Sequence, residues 1–245
     1  MIDVAISYGF GGENRYNLPK VPESIQLALY KYELYEKYKD ELIKAVHDSG
    51  ARVPVIHLPI DSLRRDIDDT IDIIKMGVQE FGCVNYVIHP NKFIQGFVDQ
   101  YLKTPMKASN GHSVKLCIEN FQWRKNKVYR SPLQIIERLL NEGEYDKRQF
   151  LGMVFDTSHT EEIWFDHRIL PFILKHTNVI HLSNRAKGLS DHMPFNDPRG
   201  KLNLMQFVND LKRRYKWNGV IVLEYMEQYQ DKLLKNYELL KRLVS

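Results

Sequence analysis

Cysteine is nearly absent from this 245-residue chain, which has only Cys83 and Cys117. Both fall inside apolar runs, where a reduced thiol behaves as a small buried hydrophobe, so no disulfide is expected. Long hydrophobic stretches are missing too. No run approaches the ~20 apolar residues that cross a bilayer. The chain opens on strand-like Ile2-Asp-Val-Ala-Ile6 rather than on a secretion signal, and a soluble, cytoplasmic protein without membrane contact is expected. There is no internal repeat, low-complexity tract or linker-like change of composition. Nor is there a strong charge of one sign. Lys plus Arg number 35 against 31 for Asp plus Glu, a net charge of +4. That balance does not mark a nucleic-acid binder by composition, so only the placement of charge can inform.

What is present is a repeated strand ending. The run Leu151-Gly-Met-Val-Phe-Asp156-Thr-Ser-His159 has no amphipathic helical face and stops at a carboxylate followed three residues on by an imidazole. Val53-Pro-Val-Ile-His57, Cys83-Val-Asn-Tyr-Val-Ile-His89, Val114-Lys-Leu-Cys-Ile-Glu119, Asn178-Val-Ile-His181 and Val220-Ile-Val-Leu-Glu224 repeat the pattern. A single His or Glu at a strand end is more often a hydrogen-bonded structural residue than a ligand. Six in order are not explained that way. Polar side chains at the carboxyl ends of successive parallel strands converge on one mouth of a sheet or barrel.

Between these strands the spacing alternates to helix. Ile2 to Tyr8 reads as a first strand. Ser24 to His47 reads as a helix capped by Ser24, with Leu27, Tyr30, Leu34, Tyr38, Leu42 and Val46 at three-to-four spacing. Further helices are expected after each strand, including 162–175, 203–215 and a closing one from about Gln228 to Leu243. Seven strand-then-helix units, with 43% hydrophobic residues, predict one α/β domain over residues 1–245, a closed parallel (β/α) barrel. An eighth strand is not evident between Tyr8 and Val53. Either a short irregular strand lies near Tyr16 to Val21, or the barrel has seven.

Two loops on the predicted ligand face carry cations. Trp123-Arg124-Lys125-Asn-Lys127-Val-Tyr129-Arg130 follows the Glu119 strand, and Arg185, Lys187 and Arg199 follow the His181 strand. A solvated surface is the plain reading of such loops. Cations gathered around a metal-type site instead suit an anionic substrate, one that carries phosphate, with DNA among the candidates. Arg124, Lys125, Lys127, Arg130, Arg185 and Lys187 are therefore the expected substrate-binding residues.

The order His, His-Pro, Glu-Asn, Asp-x-x-His, His-Leu, a later His and a final Glu resembles the xylose-isomerase-like TIM-barrel superfamily. That superfamily includes endonuclease IV (AP endonuclease family 2) and many sugar-phosphate isomerases and epimerases. The resemblance covers roughly residues 53 to 240. In the isomerases and epimerases it implies that Glu119, Asp156, His181 and Glu224 hold one divalent ion. There Glu119 and Glu224 also act as an acid/base pair, and the His159 position contacts substrate. In the endonuclease branch it implies a second ion on His57 and His89 bridged by Glu119, and a third on His159 and His192. One place departs from that branch: its Asp two residues before the later His is Ser190 here, with Asp191 adjacent.

Imidazoles and carboxylates without thiolate suit Zn, Mn or Fe as divalent ions, one to three per chain. Two or three ions serve phosphodiester hydrolysis, and a metal-dependent hydrolase of the endonuclease IV type is the leading expectation. The alternative is a sugar or sugar-phosphate isomerase or epimerase, which needs one ion and mobile carboxylates. Nothing in the sequence fixes the oligomeric state.

Overall fold

A computed structural model describes residues 1–10, 22–59, 67–90, 94–120, 131–141, 148–186 and 192–245. Eight parallel strands close on themselves in chain order: β1 (Ile2–Phe10), β2 (Ser24–Leu29), β3 (Arg52–His57), β4 (Asn85–Ile88), β5 (Lys115–Glu119), β6 (Leu151–Asp156), β7 (Thr177–Leu182) and β8 (Gly219–Leu223). β8 returns to β1, with Ile2 beside Gly219 and Ile6 beside Leu223. Around the barrel lie α1 (Tyr32–Ser49), α2 (Ile67–Phe81), α3 (Ile94–Tyr101), α4 (Pro132–Asn141), α5 (Leu170–His176), α6 (Leu204–Arg213) and α7 (Leu233–Val244).

The barrel is closed by the segment that the spacing assigned to a helix. Ser24–Leu29 is strand β2, and all six of its residues are buried. Ser24 is therefore no helix cap, and α1 starts only at Tyr32. The physical reason is that a strand covered on both faces has no polar face to betray its period. Ile25, Leu27 and Leu29 pack into the outer core beneath the helices, while Gln26 between them is also fully buried. The stretch Tyr16 to Val21, the other candidate for this strand, lies outside the described residues.

Two expected helices are also divided. Residues 162–175 form a short 3-10 turn, Glu162–Phe165, and then α5, with Pro171 in its first turn. Proline lacks the N–H that would continue a preceding helix, so it begins a new one. The closing segment likewise runs through a 3-10 turn, Glu227–Lys232, before α7.

The interior is layered. Ala5, Val55, Val87, Cys117, Val154, Val179, Val220 and Val222 form one cluster separate from the larger core outside the strands. Small and β-branched side chains fill a barrel of this girth, and they make it a packed plug rather than a pore. At Gly152 even a methyl group would collide with Asn178 and Cys117. Cys83 and Cys117 are free and buried, as small hydrophobes. Two residues beyond this layer, toward the carboxyl ends of the strands, the inward side chains become polar, as from Val55 to His57 and from Cys117 to Glu119.

Candidate metal centre

Strand alternation turns His57, Glu119, Asp156 and His181 inward above the valine layer, and Glu224 follows directly after β8. His57 is 5% exposed, Glu119 1%, and Asp156 and His181 0%. With His89, His159 and His192, three carboxylates and five imidazoles share one buried mouth. They form three overlapping groups: His57, His89 and Glu119; Glu119, Asp156, His181 and Glu224; and Asp156, His159 and His192. Within each group the candidate ligand atoms all lie within 4.8 Å of one another.

Glu119 divides its two oxygens between groups. Its Oε2 lies 2.9 Å from His89 Nε2 and 3.4 Å from His57 Nε2, and those two nitrogens are 3.1 Å apart. An ion held at about 2.0–2.1 Å by tetrahedral ligands sets them roughly 3.3 Å apart. The spacing of this trio fits that figure. Glu119 Oε1 instead lies 3.3 Å from His181 Nδ1, which is also 2.9 Å from Glu224 Oε2 and 3.9 Å from Asp156 Oδ2. Asp156 Oδ2 is in turn 3.4 Å from His159 Nδ1, and the His159 and His192 rings meet edge to face at 5.0 Å.

Local structure aims these atoms. Asp156 Oδ1 accepts from Ser158 N, Ser158 Oγ and His159 N at 2.7, 2.8 and 3.2 Å, a turn that leaves Oδ2 for the site. Asn120 clamps the Asp156 backbone, accepting from its N–H at 2.8 Å and donating to its carbonyl at 3.0 Å. That is the structural use of the Glu-Asn pair. His57 Nδ1 lies 2.9 Å from the carbonyl of Leu58. A carbonyl can only accept, so the proton sits on Nδ1 and the Nε2 lone pair faces Glu119 and His89. His192 is held in the left-handed region at φ 59°, a strained setting for a residue other than glycine. Its Nδ1 is 3.1 Å from Ser183 Oγ, and its carbonyl accepts from Met226 N.

The electrostatics are those of a cation well. Burial pushes Glu119 toward the neutral acid, but the imidazoles of His89 and His181 outweigh it and hold its carboxyl well below the usual range. Burial opposes charge on His181, yet Glu224 and Glu119 prevail and hold the ring well above its ordinary value. Burial pushes Glu224 up as well, but His181 together with His192 outweighs it and holds its carboxyl low. Asp156 is pushed up by burial, partly offset by His159 and His192. Glu119 Oε2 and Asp156 Oδ2 are buried without a hydrogen bond. Orphaned carboxylate oxygens facing aimed nitrogen lone pairs are the donor set that a divalent ion completes, so these residues fit such an ion.

The cationic rim is only partly within the described residues. Arg124, Lys125, Lys127, Arg130 and Lys187 lie outside them, as do Trp123, Tyr129, Ser190 and Asp191. Arg185 is half-buried, and its Nε is buried without a hydrogen bond. Arg199 differs from the expectation, since Asp197 holds its guanidinium at 2.7 and 2.9 Å and it is not free for a substrate.

Two residues at the mouth escaped the sequence reading because both belong to the misassigned β2 segment. Gln26 Oε1 is 2.9 Å from His181 Nε2. Tyr30, directly after β2, is 45% exposed, and its ring lies where a side chain on Gly9 would stand. Partial burial and then the charge of Glu224 push its hydroxyl up to about 12. A period-two reading of Ile25, Leu27 and Leu29 was the signal that could have found them.

A closed eight-stranded parallel barrel with a His/carboxylate mouth defines the class. The family model for the xylose isomerase-like TIM barrel matches residues 18–243, and the chain belongs to that family. No curated protein matches it in sequence. Among solved structures, it is similar to 3-keto-D-glucoside 4-epimerase from E. coli, at 13% identity over 99% of each chain with a TM-score of 0.64. It is also similar to an AP endonuclease of family 2 from Brucella melitensis, at 11% identity over 92% of this chain and 93% of that one, TM-score 0.59. A third is IOLI protein with a bound zinc atom, at 15% identity over 91% and 88%, TM-score 0.57. Identities this low speak for the fold, which hosts more than one chemistry. No described helix is long and apolar enough to cross a membrane.

Proposed function

We propose that this barrel is a divalent-metal-dependent phosphodiester hydrolase of the endonuclease IV type, acting on a phosphate-bearing substrate with DNA as the leading candidate. Glu119, Asp156, His181 and Glu224 would hold one ion, His57 and His89 with Glu119 a second, and His159 and His192 with Asp156 a third. Zn, Mn or Fe suits this set. Such ions, when bound, lower the pKa of an attacking water and neutralise charge on phosphoryl oxygens.

The observation that carries the reading is the pair His57 and His89, both with Nε2 at the second oxygen of Glu119. A one-ion isomerase has no use for them. They also crowd the carboxylate that an epimerase needs free to move a proton, and a carboxylate with imidazoles against both oxygens is poorly placed to shuttle one. Asp156 is aligned by Ser158 and Asn120 rather than free to swing, which suits fixed ligation. Arg185, together with Arg124, Lys125, Lys127, Arg130 and Lys187, would draw in the phosphate.

Elemental analysis of the purified chain tests the reading alongside a nicking assay on duplex DNA bearing one abasic site. Two or three ions per chain with cleavage beside the abasic site are expected. One ion per chain, no nicking and turnover of a sugar or sugar phosphate would move the site to the isomerase or epimerase alternative, with Glu119 and Glu224 as its acid/base pair.

A further inference from the structure

Inside an otherwise valine-lined barrel, β2 buries a glutamine completely. An amide in such a place costs free energy unless both its ends are satisfied, so its two bonds define its use. Ser7 on β1 and Gln26 on β2 are register partners, and Gln26 Nε2 donates to Ser7 Oγ at 3.2 Å. The amide's other end, Oε1, lies 2.9 Å from His181 Nε2, and because a serine hydroxyl can donate or accept, the sense of the amide is set at the imidazole end rather than by Ser7. An amide oxygen accepts only, so the ring proton facing it sits on Nε2. The other nitrogen, Nδ1, is the one that faces Glu119, Asp156 and Glu224.

We infer that Gln26 is a positioning residue that commits His181 to hold a divalent ion through Nδ1. Two other histidines of the mouth make the contrast. His57 is tied at Nδ1 by the Leu58 carbonyl and presents Nε2, and His192 is tied at Nδ1 beside Ser183 Oγ. His181 alone of these three is anchored from the far side of the barrel, by a residue 155 positions away in sequence. Once an ion occupies Nδ1, the single remaining ring proton must lie on Nε2, where only an acceptor can satisfy it. Gln26 supplies that acceptor through Oε1, and Ser7 Oγ accepts from its Nε2 at 3.2 Å.

This inference rests on the metal reading above but not on the reaction, and its readouts are zinc affinity and the position of a proton. Zinc alone is the probe, titrated against a competing chelator into wild type, Gln26→Leu and Gln26→Glu. Loss of a hydrogen-bonding partner behind a metal-bound imidazole costs ~10–100-fold in affinity, which is the drop expected for Gln26→Leu. Gln26→Glu keeps an acceptor and should stay within about threefold of wild type, a rescue that a mere packing role would not give. In the zinc-loaded wild type, the ¹⁵N resonances of His181 should show the proton on Nε2. Wild-type zinc affinity in Gln26→Leu, or Gln26→Glu as weak as Gln26→Leu, overturns the inference. If Gln26→Leu does not fold, a His181 proton on Nδ1 in the zinc-loaded wild type overturns it independently. A wild-type chain that takes up no zinc overturns both readings, whereas one that binds zinc and cleaves no phosphodiester overturns only the proposed reaction.

Discussion

The two ends of the barrel are built by opposite rules. At the amino-terminal floor, the described polar groups come mostly in closed pairs, with the buried hydroxyl of Ser24 an exception. Arg52 donates twice to Asp3 at 3.0 Å, Asn85 donates to the Pro54 carbonyl at 3.2 Å, and Trp217 donates to the Thr177 carbonyl at 3.1 Å. At the mouth, carboxylates are crowded together, two of their oxygens are buried without hydrogen bonds, and His192 sits at positive φ. A network left half-satisfied in a low-dielectric interior costs stability, whereas a pair whose donor and acceptor meet leaves no desolvated group unpaired. The floor is optimised for the fold. The mouth gives up stability and keeps its ligand atoms aimed, and departures of that kind concentrate where a protein works.

The contrast breaks most sharply at Glu119, because that carboxylate serves two groups at once. Glu119→Gln should lower zinc affinity by more than the ~10–100-fold expected for an outlying partner, and should remove more than one ion per chain. Elemental analysis and chelator competition measure it. His57→Ala and His192→Ala should each remove a single ion and leave the central set of Glu119, Asp156, His181 and Glu224 loaded. Wild-type metal content in Glu119→Gln would mean that the mouth is no different in kind from the floor.

The second test fills the mouth instead of breaking it. If the orphaned oxygens await a cation, zinc should stabilise the chain while acting on the mouth alone. Free zinc at 100 times its dissociation constant contributes about 2.7 kcal/mol per site, or roughly 5–10 °C in the melting midpoint of a chain this size. The increment should vanish with a chelator in excess, and it should be unchanged in a floor variant such as Asp3→Asn. Calorimetry with and without zinc reads both.

The same contrast explains what the sequence disclosed. The ligand strands were legible because each is an apolar run broken by one ionisable residue at its end, and charge inside an apolar run is conspicuous. His57, His89, Glu119, Asp156, His181 and Glu224 all came from that signal, and the structure brings them into one mouth. β2 was not legible because its polar residues, Ser24 and Gln26, are neutral and Leu27 also satisfies helical spacing with Tyr30 and Leu34. The two 3-10 turns were missed because one short turn shares its spacing with a helix over a few residues. The roles of Ser183, Asn120 and Gln26 are defined by contacts across strands, so even where a local pattern marks the residue it does not disclose the partner.

A smaller effect is expected at Tyr30, on the rim between mouth and solvent. Its exposed ring lies over Gly9 and close enough to Glu224 to feel its charge. If the substrate is a nucleic acid, a base can stack there, and Tyr30→Ala should weaken binding of an abasic duplex by ~1–3 kcal/mol. Tyr30→Phe keeps the ring and should bind as wild type, with metal content unchanged in both. Equal affinity for all three proteins would remove Tyr30 from the substrate path without touching the metal centre.

The smallest effect belongs to the floor. Asp3 and Arg52 form a two-bond pair, with the Arg52 side chain 64% exposed and the Asp3 side chain 27% exposed. Water screens such a pair, and ordering the arginine side chain costs entropy, so exposed ion pairs contribute ~0–1 kcal/mol. Asp3 Oδ1 also accepts from Val4 N at 2.9 Å, a bond that an asparagine oxygen can keep. Asp3→Asn should therefore destabilise the chain by less than about 1 kcal/mol in denaturant titration, and by less still at high salt. Its metal content and zinc affinity should equal those of wild type, because the valine layer separates floor from mouth. A double-mutant cycle with Arg52→Ala isolates the pair. A coupling well above 1 kcal/mol, or a loss of metal on changing a residue at the opposite end of the barrel, would show that the two ends are not built independently.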